Sequence, residues 1–113
     1  MTLPVEVQRA AQAALDKLAE DVVVLDLRKN GAFTDYFLLA SGTNQRQLVA
    51  VADAITRALR AMDMRPSHVE GYPRQEWILL DYEGLVVHLL TPRLRSFYDL
   101  ERLWGGAKRW ELR

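Results

Sequence analysis

Three aspartates, Asp26, Asp35 and Asp81, stand at or beside short apolar runs. Carboxylates at strand ends are what a metal-dependent transferase would use, because hard divalent cations take oxygen ligands. Single acids at strand ends are also common, so the pattern alone carries little. Asp81 and His88 form two thirds of a proton relay. The chain has no cysteine, and no serine stands in a nucleophile-elbow context, so the nucleophile is missing. Ser41-Gly42-Thr43-Asn44, ahead of a helical pattern, can hold an anion on free N–H groups. It lacks the glycine spacing and lysine of a phosphate loop, and ordinary helix capping explains it better. His68 and His88 are the only histidines, which disfavours a histidine-rich metal site. These residues assemble no catalytic centre and no metal site.

The positioning elements follow from composition and periodicity. The 113 residues carry fifteen Lys plus Arg and fifteen Asp plus Glu. Zero net charge disfavours a direct grip on nucleic acid, which rests on phosphate neutralisation. Half the residues are apolar, which suits one soluble globular domain over 1–113. No run approaches the roughly 18 apolar residues of a membrane span, and Glu6 and Arg9 interrupt any export signal. A cytoplasmic protein is expected. Residues 1–56 carry net −2 and residues 57–113 net +2, and twelve of the fifteen cations are arginine.

Val7, Ala11, Ala14, Leu15 and Leu18 recur at helical spacing, with Thr2 and Pro4 at the start. Val22 to Leu27 and Tyr36 to Ala40 predict strands. Asn44 and Gln47 form a capping box for a helix whose face is Leu48, Val51, Ala52, Ile55, Leu59 and Met62. Residues 68–74 predict a loop or a short edge strand. Residues 76–82 and 85–90 predict a hairpin across Glu83-Gly84. A last helix is expected from Leu94 to Trp104, stopped by Gly105-Gly106. The fold class is α/β (α+β): a mixed sheet of four to five strands packed with three helices.

A two-residue turn fixes the hairpin register. Ile78, Leu80, Tyr82, Leu85, Val87 and Leu89 then share one side, and Trp77, Leu79, Asp81, Val86, His88 and Leu90 the other. The first side is apolar and should meet the core helices. The second mixes an aromatic, an acid and an imidazole among aliphatics. It is either a second core layer, with His88 donating to Asp81 and Trp77 under the last helix, or a partner-binding face anchored by Trp77. In the last helix Phe97, Leu100, Leu103 and Trp104 recur at helical spacing, with Tyr98, Glu101 and Arg102 on the flanks. So short a helix has little room to bury them all.

Several motifs occur in order: Asp21-Val22-Val23-Val24-Leu25-Asp26-Leu27, Thr34-Asp35-Tyr36-Phe37, Ala40-Ser41-Gly42-Thr43, Glu70-Gly71, Glu76-Trp77-Ile78-Leu79-Leu80-Asp81-Tyr82, Val86-Val87-His88 and Arg95-Ser96-Phe97-Tyr98-Asp99-Leu100-Glu101-Arg102-Leu103-Trp104. With these the sequence resembles the ribosomal silencing factor (Iojap-like) family over about residues 10–104. One departure is Asn44, where members often have serine. The resemblance implies a nucleotidyltransferase-like fold without catalysis or cofactor, and a homodimer when free. It implies a translational repressor that binds ribosomal protein number fourteen of the large subunit and blocks joining with the small subunit when nutrients are short. By motif, Trp77, Asp81, Tyr98, Leu100 and Glu101 would meet the partner, with Asp81 and Glu101 facing basic groups and His88 bracing Asp81. The competing readings are a small metal-dependent enzyme using the three aspartates, or a dimeric adaptor. The tail 105–113 is given no role.

Overall fold

The structure is a computed structural model that describes residues 3–72 and 76–112. The expected Thr2 cap and the end of the 68–74 segment lie outside the described residues. Helix α1 spans Val5–Asp16, strand β1 Glu20–Asp26 and β2 Tyr36–Ser41. Helix α2 spans Gln45–Arg60, followed by strands β3 (His68–Glu70), β4 (Trp77–Asp81) and β5 (Leu85–Leu90). Two short helices, α3 (Pro92–Tyr98) and α4 (Leu100–Leu103), precede strand β6 (Lys108–Leu112). The six strands form one sheet in the order β3-β4-β5-β2-β1-β6. Among the described residues only β2 and β5 pair in parallel.

The central strands are buried on both faces. Every residue of β2 and of β5 is buried, which is why they read as continuous apolar runs rather than alternating ones. One face meets α1 and α2 through Val22, Val24, Leu38, Leu80, Val87 and Leu89, packed against Val7, Ala14, Val51, Ile55 and Leu59. The other face is a smaller layer of Val23, Leu25, Leu27, Phe37, Leu39 and Val86, with Leu79, Leu100 and Trp104 against it. The hairpin register is the expected one, with Leu79 opposite His88 and Asp81 opposite Val86.

Asn44 caps α2, its side-chain oxygen accepting from the Gln47 N–H at 2.9 Å. Gln47 reaches back to the Thr43 N–H (2.8 Å) instead of Asn44, and its amide donates to the Leu18 carbonyl (2.9 Å). The cap therefore also ties α2 to the end of α1, and the Gly42, Thr43 and Gln47 N–H groups already donate to Leu90, Gln47 and Asn44.

Two features correct the sequence reading. The last helix is not continuous: Asp99, with φ of 47°, ends α3 and starts α4. A short polar side chain tolerates this left-handed conformation better than most. The tail is also not idle, because Lys108–Leu112 is a sixth strand on the outer edge of β1. Its alternation is visible afterwards: Trp110 and Leu112 pack on the α1/α2 layer, while Arg109 and Glu111 point to the other side. The double glycine ends the helix and also turns the chain back to the sheet.

Trp110→Ala is expected to lower unfolding free energy by about 2 kcal/mol, below the value for a fully buried tryptophan because Trp110 is only partly buried. Urea unfolding measures this. A change under about 0.5 kcal/mol would show that β6 contributes no stability.

A candidate partner-binding face

The mixed face of β4 is set by the hairpin turn. Glu83 takes φ of 72°, a region usually left to glycine. Two side chains hold it there. Asp81 accepts from the Glu83 N–H at 2.7 Å, and Thr34 donates to the Glu83 carbonyl at 2.6 Å. Asp81 thus serves the turn, and one of its oxygens is occupied.

The expected bond between His88 and Asp81 is absent. His88 instead accepts at Nδ1 from the Trp77 Nε1–H, at 3.2 Å. The imidazole is buried, with the Phe37 ring 4.5 Å away, edge to face, and the Trp77 ring 5.9 Å away. Asp81 lies two rungs nearer the turn and spends its oxygen on the backbone, which is why the pair does not form. Burial pushes the His88 imidazole from its ordinary 6.5 down to about 4. It is neutral, and with Nδ1 accepting, its proton sits on Nε2. That atom is buried without a hydrogen-bond partner among the described residues.

From Trp77 the aromatic contacts run outward. Tyr98 packs on Trp77 at 4.8 Å, and Phe97 packs on Tyr98 at 5.0 Å. On the inner side Phe37 leads to Trp104 and to Phe33, each at 6.3 Å. Phe97 (77% exposed), Tyr98 (51%) and Leu103 (71%) stand in solvent. The break at Asp99 separates the last helical residues: Leu100 and Trp104 turn to the sheet, while Phe97 and Leu103 turn away. Exposed large apolar side chains in one patch mark an interaction surface.

Arg95 fixes this patch to the sheet. It makes a bidentate pair with Glu101 (3.0 and 3.1 Å) and donates to Ser41 Oγ (3.0 Å) and the Asp21 carbonyl (2.5 Å). Arg109 on β6 adds a bond to Glu101 at 3.1 Å. The Arg95 hydrogen bond, with both guanidinium charges, holds the Glu101 carboxyl below its ordinary range despite burial. Glu101 was expected to face a partner, yet its charge is committed within the chain. The network lines a groove of about 750 Å³ with Leu18, Asp21 and Leu112, away from Trp77 and His88.

The structure thus joins Trp77, His88 and Tyr98, sets Asp81 farther along the same strand, and places Leu100 and Glu101 in the support of α4. Phe33 and Phe37 were missed. Phe37 was seen as a strand residue, and only the parallel β2–β5 pairing brings it to His88. Of the three aspartates, Asp26 is paired with Arg28 at 2.7 Å, which holds its carboxyl below the ordinary range. Asp81 serves the turn. No group of three His, Asp or Glu side chains among the described residues is placed to hold a metal ion.

The family model for "Ribosomal silencing factor during starvation" matches residues 1–113. The chain belongs to the ribosomal silencing factor family. It is 37% identical over 98 residues to ribosomal silencing factor RsfS of Bacillus subtilis, covering 87% of this chain and 83% of that one. A mouse relative, mitochondrial assembly of ribosomal large subunit protein 1, is 32% identical over 89 residues, covering 76% of this chain and 39% of that one. A crystal structure of a Chromobacterium violaceum protein matches with a TM-score of 0.87 at 31% identity, covering 96% of this chain and 90% of that one. A Bacillus halodurans structure matches at 0.80 and 33%, covering 94% and 96%. In this silencing factor family member, no helix among the described residues is long and apolar enough to cross a membrane.

Two outcomes are expected of the site's electrostatics. An unfolded histidine takes its proton near pH 6.5 and folded His88 only near 4, so the unfolded chain binds more protons between these values. The stability linked to His88 is complete above about pH 6.5 and falls by about 3 kcal/mol as pH drops to 4. The His88→Asn variant should have a flatter stability profile across that window; an unchanged slope would contradict the assignment. Arg95→Met leaves Glu101 half-buried with one cation instead of two, and should cost about 3 kcal/mol in urea unfolding. A cost below 1 kcal/mol would show that the network does not hold α3 and α4.

Proposed function

We propose that this chain is a translational repressor of the cytoplasm that docks on ribosomal protein fourteen of the large ribosomal subunit and sterically blocks joining with the small subunit, chiefly under nutrient limitation. The observation that carries this reading is the aromatic patch of half-buried Trp77 and exposed Tyr98 and Phe97 in a member of the silencing factor family. The mouse relative's name, which couples it to assembly of the ribosomal large subunit, supports the large subunit as the body bound.

Such an activity needs no bond chemistry and no cofactor. It needs a complementary surface and enough bulk to occlude a second body. Trp77 is the anchor: its N–H is committed inward to His88, so hydrocarbon faces the partner. Tyr98 extends the anchor, and Leu100 supports the patch from beneath. Asp81 keeps one oxygen outside the turn hydrogen bond, for a Lys or Arg of a basic ribosomal protein. Glu101 acts indirectly, by holding Leu100 and α4 through Arg95 and Arg109. The chain is a homodimer when free and a non-catalytic binding protein in both states. Neutral net charge suits docking on a basic protein instead of on RNA.

Sedimentation with purified large subunits tests the reading. The chain is expected to travel with them and to reduce the fraction that pairs with added small subunits. Failure to co-sediment would overturn it, and binding without loss of joining would leave only an adaptor. Trp77→Ala is expected to weaken large-subunit binding by about 2–4 kcal/mol, roughly 30- to 1000-fold. Undiminished binding by the folded variant would remove Trp77 as anchor.

A further inference from the structure

His88 is an expensive residue for its position. The side chain sits in an otherwise apolar layer, opposite Leu79 on β4 and Leu39 on β2 and against the Phe37 ring. A leucine or phenylalanine there would avoid burying polar nitrogens. The imidazole leaves Nε2 without a hydrogen-bond partner among the described residues, a cost of roughly 1–3 kcal/mol. Among the described residues no ion pair involves His88, so it serves no charge network. What the imidazole supplies that an aliphatic cannot is one acceptor, Nδ1, and that acceptor receives the Trp77 indole N–H.

We infer that His88 is a positioning residue for the partner contact: its Nδ1 fixes the indole of Trp77 in the orientation that Tyr98 stacks on and the partner meets. This deepens the proposed docking function and rests on Trp77 being the anchor. A tryptophan on an open strand face has several rotamers, and ordering it on binding weakens association. The hydrogen bond at 3.2 Å and the ring contacts to His88 and Tyr98 settle that choice before the partner arrives. The indole nitrogen also needs a partner wherever it is covered, and an inward acceptor meets this need without one from the ribosome.

Two substitutions separate the acceptor from the ring. His88→Asn keeps an acceptor near the position of Nδ1 and gives up the ring. His88→Phe keeps a ring and gives up the acceptor. If His88 positions Trp77, binding to purified large subunits should fall about five- to tenfold for His88→Phe and be recovered to within about twofold of wild type by His88→Asn. The opposite order, or equal losses in both, would overturn the inference and leave His88 a packing residue. An NMR readout stands apart from the ribosome: the Trp77 Nε1–H resonance should lie apart from those of Trp104 and Trp110 and move toward them in His88→Phe but not in His88→Asn. A resonance unmoved by His88→Phe would also overturn the inference. Trp77→Ala tests the underlying reading: if it binds large subunits as tightly as wild type, the docking surface is elsewhere, whatever the resonance shows.

Discussion

Arg95 reaches four places at once: the Glu101 carboxylate, Ser41 at the end of β2, the Asp21 carbonyl at the start of β1, and through Glu101 the Arg109 side chain of β6. The exposed half of the binding face depends on this. Helices α3 and α4 have seven and four residues. Helices so short do not persist without tertiary support. Apolar packing supplies part of it, through Leu100 and Trp104. The ion-pair network supplies the rest and also orients it, since a bidentate guanidinium–carboxylate pair tolerates little rotation. With both partners mostly buried, the pair contributes less to net stability than to a single arrangement of the two helices.

The two faces of the sheet divide the work. The α1/α2 face is close-packed and apolar, and its residues account for most of the fully buried side chains. The other face is thinner and carries the groups that a pure core would omit: a neutral buried histidine, a half-buried tryptophan and a strained turn at Glu83. Departures of this kind gather where function is built. They share one line, from the turn that Asp81 holds, past His88, to Trp77 and Tyr98.

Much of the fold was legible. The hairpin register followed from the two turn residues, because a two-residue connection at Glu83-Gly84 sets Tyr82 against Leu85 and fixes every rung beyond. That β5 is buried on both faces was left open, since a second core layer and a partner-binding face both fitted the mixed side of the hairpin. The break at Asp99 was not legible, since an aspartate inside a helical pattern is ordinary and no glycine marks the left-handed position. β6 was passed over because its partner strand lies more than eighty residues earlier, and five alternating residues after a glycine pair say little alone. Family motifs pointed to Trp77 and Tyr98, but their contacts depend on long-range pairing. The His88–Asp81 expectation failed for a local reason: the turn needed the carboxylate more than the imidazole did.

The central claim is that one face, centred on Trp77 and Tyr98, is what the large subunit covers. Hydroxyl-radical footprinting of the chain, free and bound to purified large subunits, addresses this directly. Protection is expected at Trp77, Phe97, Tyr98 and Leu103, with exposed Val5 on α1, across the sheet, as reactive as in the free chain. Protection at Val5 with Phe97 and Tyr98 still reactive would contradict it.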